Sequence, residues 1–91
     1  MIKRKITLGG SLPYSAARAK LLANTASGFS ARILLQDSRG TFNGKSMLGL
    51  LSLGKLCGRD MVLLAEGVDE EQAVLKLSAM LEENWDTVAL S

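Results

Sequence analysis

Histidine is absent from the 91-residue sequence. Its absence removes the commonest general base at neutral pH, the commonest zinc ligand and the nitrogen that carries a labile phosphoryl group. Cysteine occurs once, as Cys57. No internal disulfide can form and no Cys/His metal cluster can assemble, so neither metal nor cofactor is expected, and a reducing cytoplasm is the expected setting. Long apolar runs are missing too. None approaches the roughly 18 residues needed to span a bilayer. The basic start, Met1-Ile2-Lys3-Arg4-Lys5, leads into alternating residues rather than an apolar stretch, so no signal peptide is read there. Glycine pairs such as Gly9-Gly10 lack the spacing of a phosphate-binding or dinucleotide loop.

What is present is an ordinary globular composition, 47% hydrophobic and 22% charged, in a chain long enough for one small core. Charge is divided along it. Residues 1–60 hold ten basic and two acidic side chains, whereas residues 61–91 hold one basic and seven acidic. The division suggests a basic face suited to an acidic partner or a phosphate, or else a mixed solvated surface.

Ile2, Arg4, Ile6 and Leu8 alternate with Lys3, Lys5 and Thr7, which is strand periodicity. A helix is expected over residues 16–27, with Ala19, Leu22, Ala23 and Ala26 on one face, Ser15 as N-cap and Gly28 as the glycine beyond its end. Ile33 and Leu35 predict a second strand, and Thr41-Phe42, after the turn Asp37-Ser38-Arg39-Gly40, a third. Ser46 opens a short helical run ending near Gly54. Met61, Leu63 and Ala65 alternate with Val62, Leu64 and Glu66 in a fourth strand. Over residues 69–83, Ala73, Val74, Leu77, Met80 and Leu81 form an amphipathic stripe capped by Asp69. The order is β-α-β-β-α-β-α, an α+β fold with three helices on one face of a four-stranded antiparallel sheet and mixed polar residues on the other. One domain is expected over residues 1–84, followed by a tail, 85–91, in which Trp85 folds back onto the domain.

The segment Asn43-Gly44-Lys45-Ser46-Met47-Leu48-Gly49-Leu50-Leu51-Ser52-Leu53-Gly54, together with Gly28-Phe29, Ala65-Glu66-Gly67, Asp69-Glu70 and Ala73, resembles the HPr family, the phosphocarrier proteins of the bacterial sugar phosphotransferase system. The likeness runs without a gap from about residue 2 to residue 84 and implies that family's open-faced β-sandwich. It departs at the active segment. Where the family reads Gly-Leu-His-(Ala/Thr)-Arg-Pro-Ala, this chain reads Pro13-Tyr14-Ser15-Ala16-Ala17-Arg18-Ala19. Ser15 stands at the phosphohistidine position and Ala17 at the position of the phosphate-binding arginine.

Ser15 has no neighbouring base to make it a nucleophile, and a phosphate ester is a poor onward donor. It reads as a helix N-cap, with two alternatives: a phosphocarrier residue, or part of an anion site with Arg18 and Lys20 one turn on. Ser46 reads as the cap of the short helix, and the resemblance implies a regulatory phosphosite on the same residue. The two roles are compatible, because phosphate is tolerated at a helix N-terminus. Leu50 and Leu53 are expected in the core, leaving Met47, Leu48 and Leu51 either as further core or as an exposed patch ringed by Arg18, Lys20, Lys45 and Lys55. The resemblance implies that this patch meets protein partners: a phosphotransferase-system component, HPr kinase or a transcriptional regulator in carbon catabolite control. The expected function is a non-enzymatic interaction module, unfit for histidine phosphorelay, with no direct nucleic-acid or membrane partner. The alternatives are a carrier using Ser15 or an HPr fold reused to bind anions.

Overall fold

The computed structural model describes residues 1–10, 12, 14–53 and 59–83. The expected order is realised: β1 (Ile2–Thr7), α1 (Ala16–Ser27), β2 (Arg32–Asp37), β3 (Gly40–Asn43), α2 (Met47–Leu51), β4 (Asp60–Glu66) and α3 (Glu70–Glu82). The strands form one antiparallel sheet in the order β1-β4-β2-β3. Register sets Ile6 against Met61 and Leu35 against both Leu63 and Phe42. Period-2 alternation therefore brings Ile6, Ile33, Leu35, Met61, Leu63 and Ala65 to one buried face. Ala19, Leu22 and Ala26 of α1, Ala73, Val74, Leu77 and Leu81 of α3, and Leu50 and Leu53 complete the core. Burying each large aliphatic side chain there contributes about 1.5–3 kcal/mol.

The open face is less polar than the alternation suggests. Leu64 lies on it yet is buried, because register places it between Lys3 of β1 and Leu34 of β2. Two expectations about helix ends also need correcting. Gly28 ends α1 in right-handed conformation at φ −73°, not in the left-handed one. Asp69 makes no side-chain cap on α3. Its carboxylate instead accepts from the backbone N–H groups of Ser30 and Ala31, both at 2.8 Å. The acid ties the loop after α1 to the start of α3, and the neighbouring Gly67 has a positive φ of 155° that excludes a side chain, since a β-carbon there would press on Ala31.

Candidate functional site

Two helix N-termini carry the residues singled out in the sequence. At α1, the Ser15 hydroxyl accepts from the Arg18 N–H at 3.2 Å, an N-cap contact. At α2, the Ser46 hydroxyl accepts from the Gly49 N–H at 3.3 Å. Both serines thus do what Ser does best at such positions, satisfying a donor that the first helical turn leaves without a partner.

Arg18 is the main departure from expectation. It is 4% exposed and does not stand on a docking surface. Its guanidinium donates to the carbonyls of Gly9 (2.8 Å), Met80 (3.1 Å), Leu81 (3.3 Å) and Glu83 (2.8 Å). It also lies over the Tyr14 ring, 4.0 Å from the centroid. The Tyr14 hydroxyl donates to Leu81 O at 3.1 Å, and the Gly9 N–H donates to the same carbonyl at 2.9 Å. Together these groups satisfy carbonyls at the end of α3, where the helix dipole favours a cation. Space is tight: a β-carbon at Gly9 would collide with the Glu82 carbonyl. The arginine that sequence reasoning placed with an anion site is a cap for a different helix. No local pattern announces that role, because its partners at the end of α3 lie more than sixty residues away in the chain.

The other expected residues divide. Lys20 is exposed on α1. Lys45 is half-buried, and its ammonium donates to the Phe29 carbonyl at 2.7 Å, so it is partly engaged within the fold. Met47 and Leu48 are exposed, Leu48 at 79%. Leu51 is half-buried against the core. Lys55, Cys57 and Trp85, with the tail beyond residue 84, lie outside the described residues. A further apolar side chain that the sequence reading passed over, Leu21, is 46% exposed on α1, the helix against which α2 packs. Its signal was there: it sits beside Leu22 on the wrong side of the helical stripe for burial.

Among the described residues no group of acidic or cysteine side chains is placed to hold a metal ion, and no helix is long and apolar enough to cross a membrane. A basin of about 660 Å³ lies at one end of the sheet, between Lys5 and Thr7 of β1 and the β2–β3 turn at Arg39. Its lining includes none of the candidate site residues Ser15, Arg18, Lys20, Lys45, Ser46, Met47, Leu48 and Leu51.

The sheet order, the three helices on one face and the serine-capped α2 with its exposed apolar pair define a small open-faced sandwich of the phosphocarrier type. The family described as "PTS HPr component phosphorylation site" matches residues 2–83, and the chain belongs to it. It is 31% identical to the HPr-like protein Crh of Bacillus subtilis over 83 residues, 91% of this chain and 98% of Crh. It is 31% identical to the phosphocarrier protein NPr of Shewanella violacea, covering 93% of each. Among solved structures it is similar to HPr-C-His from Thermoanaerobacter tengcongensis (TM-score 0.76, 34% identity, 89% of this chain and 91% of that one). It is also similar to Bacillus subtilis Crh, a catabolite-repression protein described as a swapped dimer (TM-score 0.66, 30% identity, 89% and 88%). Members of the family are phosphocarriers and regulators that interact with other phosphotransferase-system proteins. They are not enzymes, and neither is this chain.

Proposed function

We propose that this chain is a cytoplasmic regulatory module of the phosphotransferase system that takes no part in histidine phosphorelay, and that it docks protein partners through α2 under the control of phosphorylation at Ser46. The observation that carries the reading is the contrast between the two helix N-termini. At α1 the relay position is Ser15, its hydroxyl already engaged as a cap and the nearest cation in the sequence, Arg18, turned into the fold. At α2, Ser46 is followed at once by two exposed apolar side chains, Met47 and Leu48. An exposed Met–Leu pair suits a partner's apolar groove, with Lys20 and Lys45 as the basic groups nearby in the expected surface. A phosphate on Ser46 would stand at the edge of that surface. It would repel an acidic partner and attract one offering arginines. The resemblance to Crh, described as a catabolite-repression protein, supports a role of that kind, and the partner proposed for it is a transcriptional regulator.

The test uses HPr kinase with ATP, mass spectrometry to locate the phosphate, and titration of the product against a transcriptional regulator of carbon catabolite control. The reading expects a single phosphate on Ser46 and an affinity change of about tenfold, equivalent to about 1.4 kcal/mol. Failure of the kinase to modify Ser46, or equal binding by both forms, would leave that serine a helix cap and nothing more.

A further inference from the structure

Among the described residues strand β1 forms a margin of the sheet, and its backbone divides by parity. The Leu8 N–H turns towards the β4 side, to the Arg59 carbonyl at 2.9 Å. The Thr7 N–H turns the other way, to the Glu82 carboxylate at 3.2 Å. Alternation carries this backwards along the strand. Ile2, Arg4 and Ile6 direct their main-chain groups to β4, whereas the N–H and C=O groups of Lys3 and Lys5 point away from the sheet. No hydrogen bond to any of these four outward groups occurs among the described residues. Three exposed cations in succession, Lys3, Arg4 and Lys5, accompany them.

We propose that this edge is a docking strip for an extended acidic segment of a partner protein, which adds to the sheet as a fifth strand opposite Lys3 and Lys5. An antiparallel segment with one residue opposite each lysine forms two narrow pairs and thus four main-chain hydrogen bonds. Residues directly opposite one another share a face, so the side chains that meet the two ammonium groups come from positions i and i+2 of the incoming strand. The recognised chemistry is an acidic–any–acidic segment in extended form. Glu82 is a small precedent within the fold, a carboxylate already seated on an outward amide of this strand.

Lysines on an edge strand ordinarily guard against pairing. Here the guard is selective. Two copies of β1 set side by side would bring like charges face to face, whereas an acidic strand meets opposite ones. The ends of the strip are closed by the chain's own acids, since Glu70 holds the Met1 ammonium at 2.8 Å and Glu82 holds the Thr7 amide. The window is therefore short, residues 3–5, and its binding is weak and salt-sensitive. The strip is remote from α2, because β1 and β3 are opposite margins of the sheet and α2 packs beside β3. It is independent of the Ser46 reading.

The experiment is amide hydrogen exchange on the full chain by NMR, with the peptide acetyl-Thr-Glu-Val-Glu-Val-Thr-amide and a counterpart carrying lysine for glutamate. At saturation the acidic peptide should slow exchange at Lys3 and Lys5 about tenfold or more while leaving Arg4 and Ile6 unchanged. The double variant Lys3→Glu/Lys5→Glu, altered only at exposed positions, should keep its native spectrum and lose the effect. Unchanged exchange at Lys3 and Lys5 would overturn the proposal, as would equal protection by the lysine peptide. Protection that grows with protein concentration in the absence of peptide would also overturn it, by assigning the edge to a second copy.

Discussion

Replacing Arg18 by methionine keeps most of the buried stem and removes the charge. The guanidinium donates to four carbonyls, on Gly9, Met80, Leu81 and Glu83, and stacks on Tyr14. A hydrogen bond from a charged donor contributes about 1.5–3 kcal/mol net, and such terms do not add. Removing one member of a buried polar cluster costs about 3–5 kcal/mol, because the groups left behind stay buried without partners. The Leu81 carbonyl keeps Tyr14 and Gly9 as donors, which places the expected loss at the lower end, about 3 kcal/mol. That is a large share of the 5–15 kcal/mol that holds a typical domain together. Urea unfolding measures it. With an m-value of about 1 kcal/mol/M for a chain this small, the midpoint should fall by about 3 M. Arg18→Lys should recover only part, since one ammonium cannot reach carbonyls spread over Gly9 and the end of α3. Lys20→Ala, two residues along and exposed, should change stability by less than about 0.5 kcal/mol. A loss below about 1 kcal/mol in Arg18→Met would refute the view that this arginine clamps α1 to the end of α3.

Leu77, buried at the centre of the α3 stripe, should cost about 2–5 kcal/mol when changed to alanine, read by the same unfolding assay. The Asp69 carboxyl is held below its ordinary value, first by the Ser30 N–H, and also by the Ala31 N–H and the charge of Lys45, against partial desolvation. A depressed carboxyl stabilises the fold above the ordinary range near 4 and loses that contribution as pH falls through its lowered value, so Asp69→Asn should flatten the acid limb of a stability–pH curve. Ser46→Asp should leave the melting temperature within a few degrees, a change below about 1 kcal/mol, because aspartate is also a good N-cap. Leu48→Glu should unfold at the wild-type temperature yet weaken docking of the partner about tenfold or more.

The β-α-β-β-α-β-α order was legible because each element repeats its burial pattern locally: the alternation in β1 and β4, the stripe from Ala73 to Leu81, the serine before each of α1 and α2. The bounds of α1 and α3 agree closely with expectation for the same reason, whereas α2 stops at Leu51, short of the expected end near Gly54. What the sequence could not convey was long-range. Asp69 looked like a cap because aspartate before a helix usually is one, but two amides at residues 30 and 31 offered its carboxylate a better site. Arg18 looked like surface because arginine usually is, and only the fold brings the end of α3 to it. Leu64 alternates as an outward residue yet is buried, at a central-strand position flanked by Lys3 and Leu34. In each case a side chain was claimed by a partner that local spacing does not reveal.

The central claim is that this member of the HPr family regulates without carrying phosphate from phosphoenolpyruvate. Incubation of the full chain with the general phosphotransferase enzyme and labelled phosphoenolpyruvate tests it most directly, with a histidine-bearing HPr as the positive control. The account predicts no label on this chain, and little on Ser15→His, because Ala17 and the inward-turned Arg18 leave the new imidazole without the arginine that the family places beside it. Stoichiometric label on the unaltered protein, mapped to Ser15 and passed on to an acceptor, would contradict it.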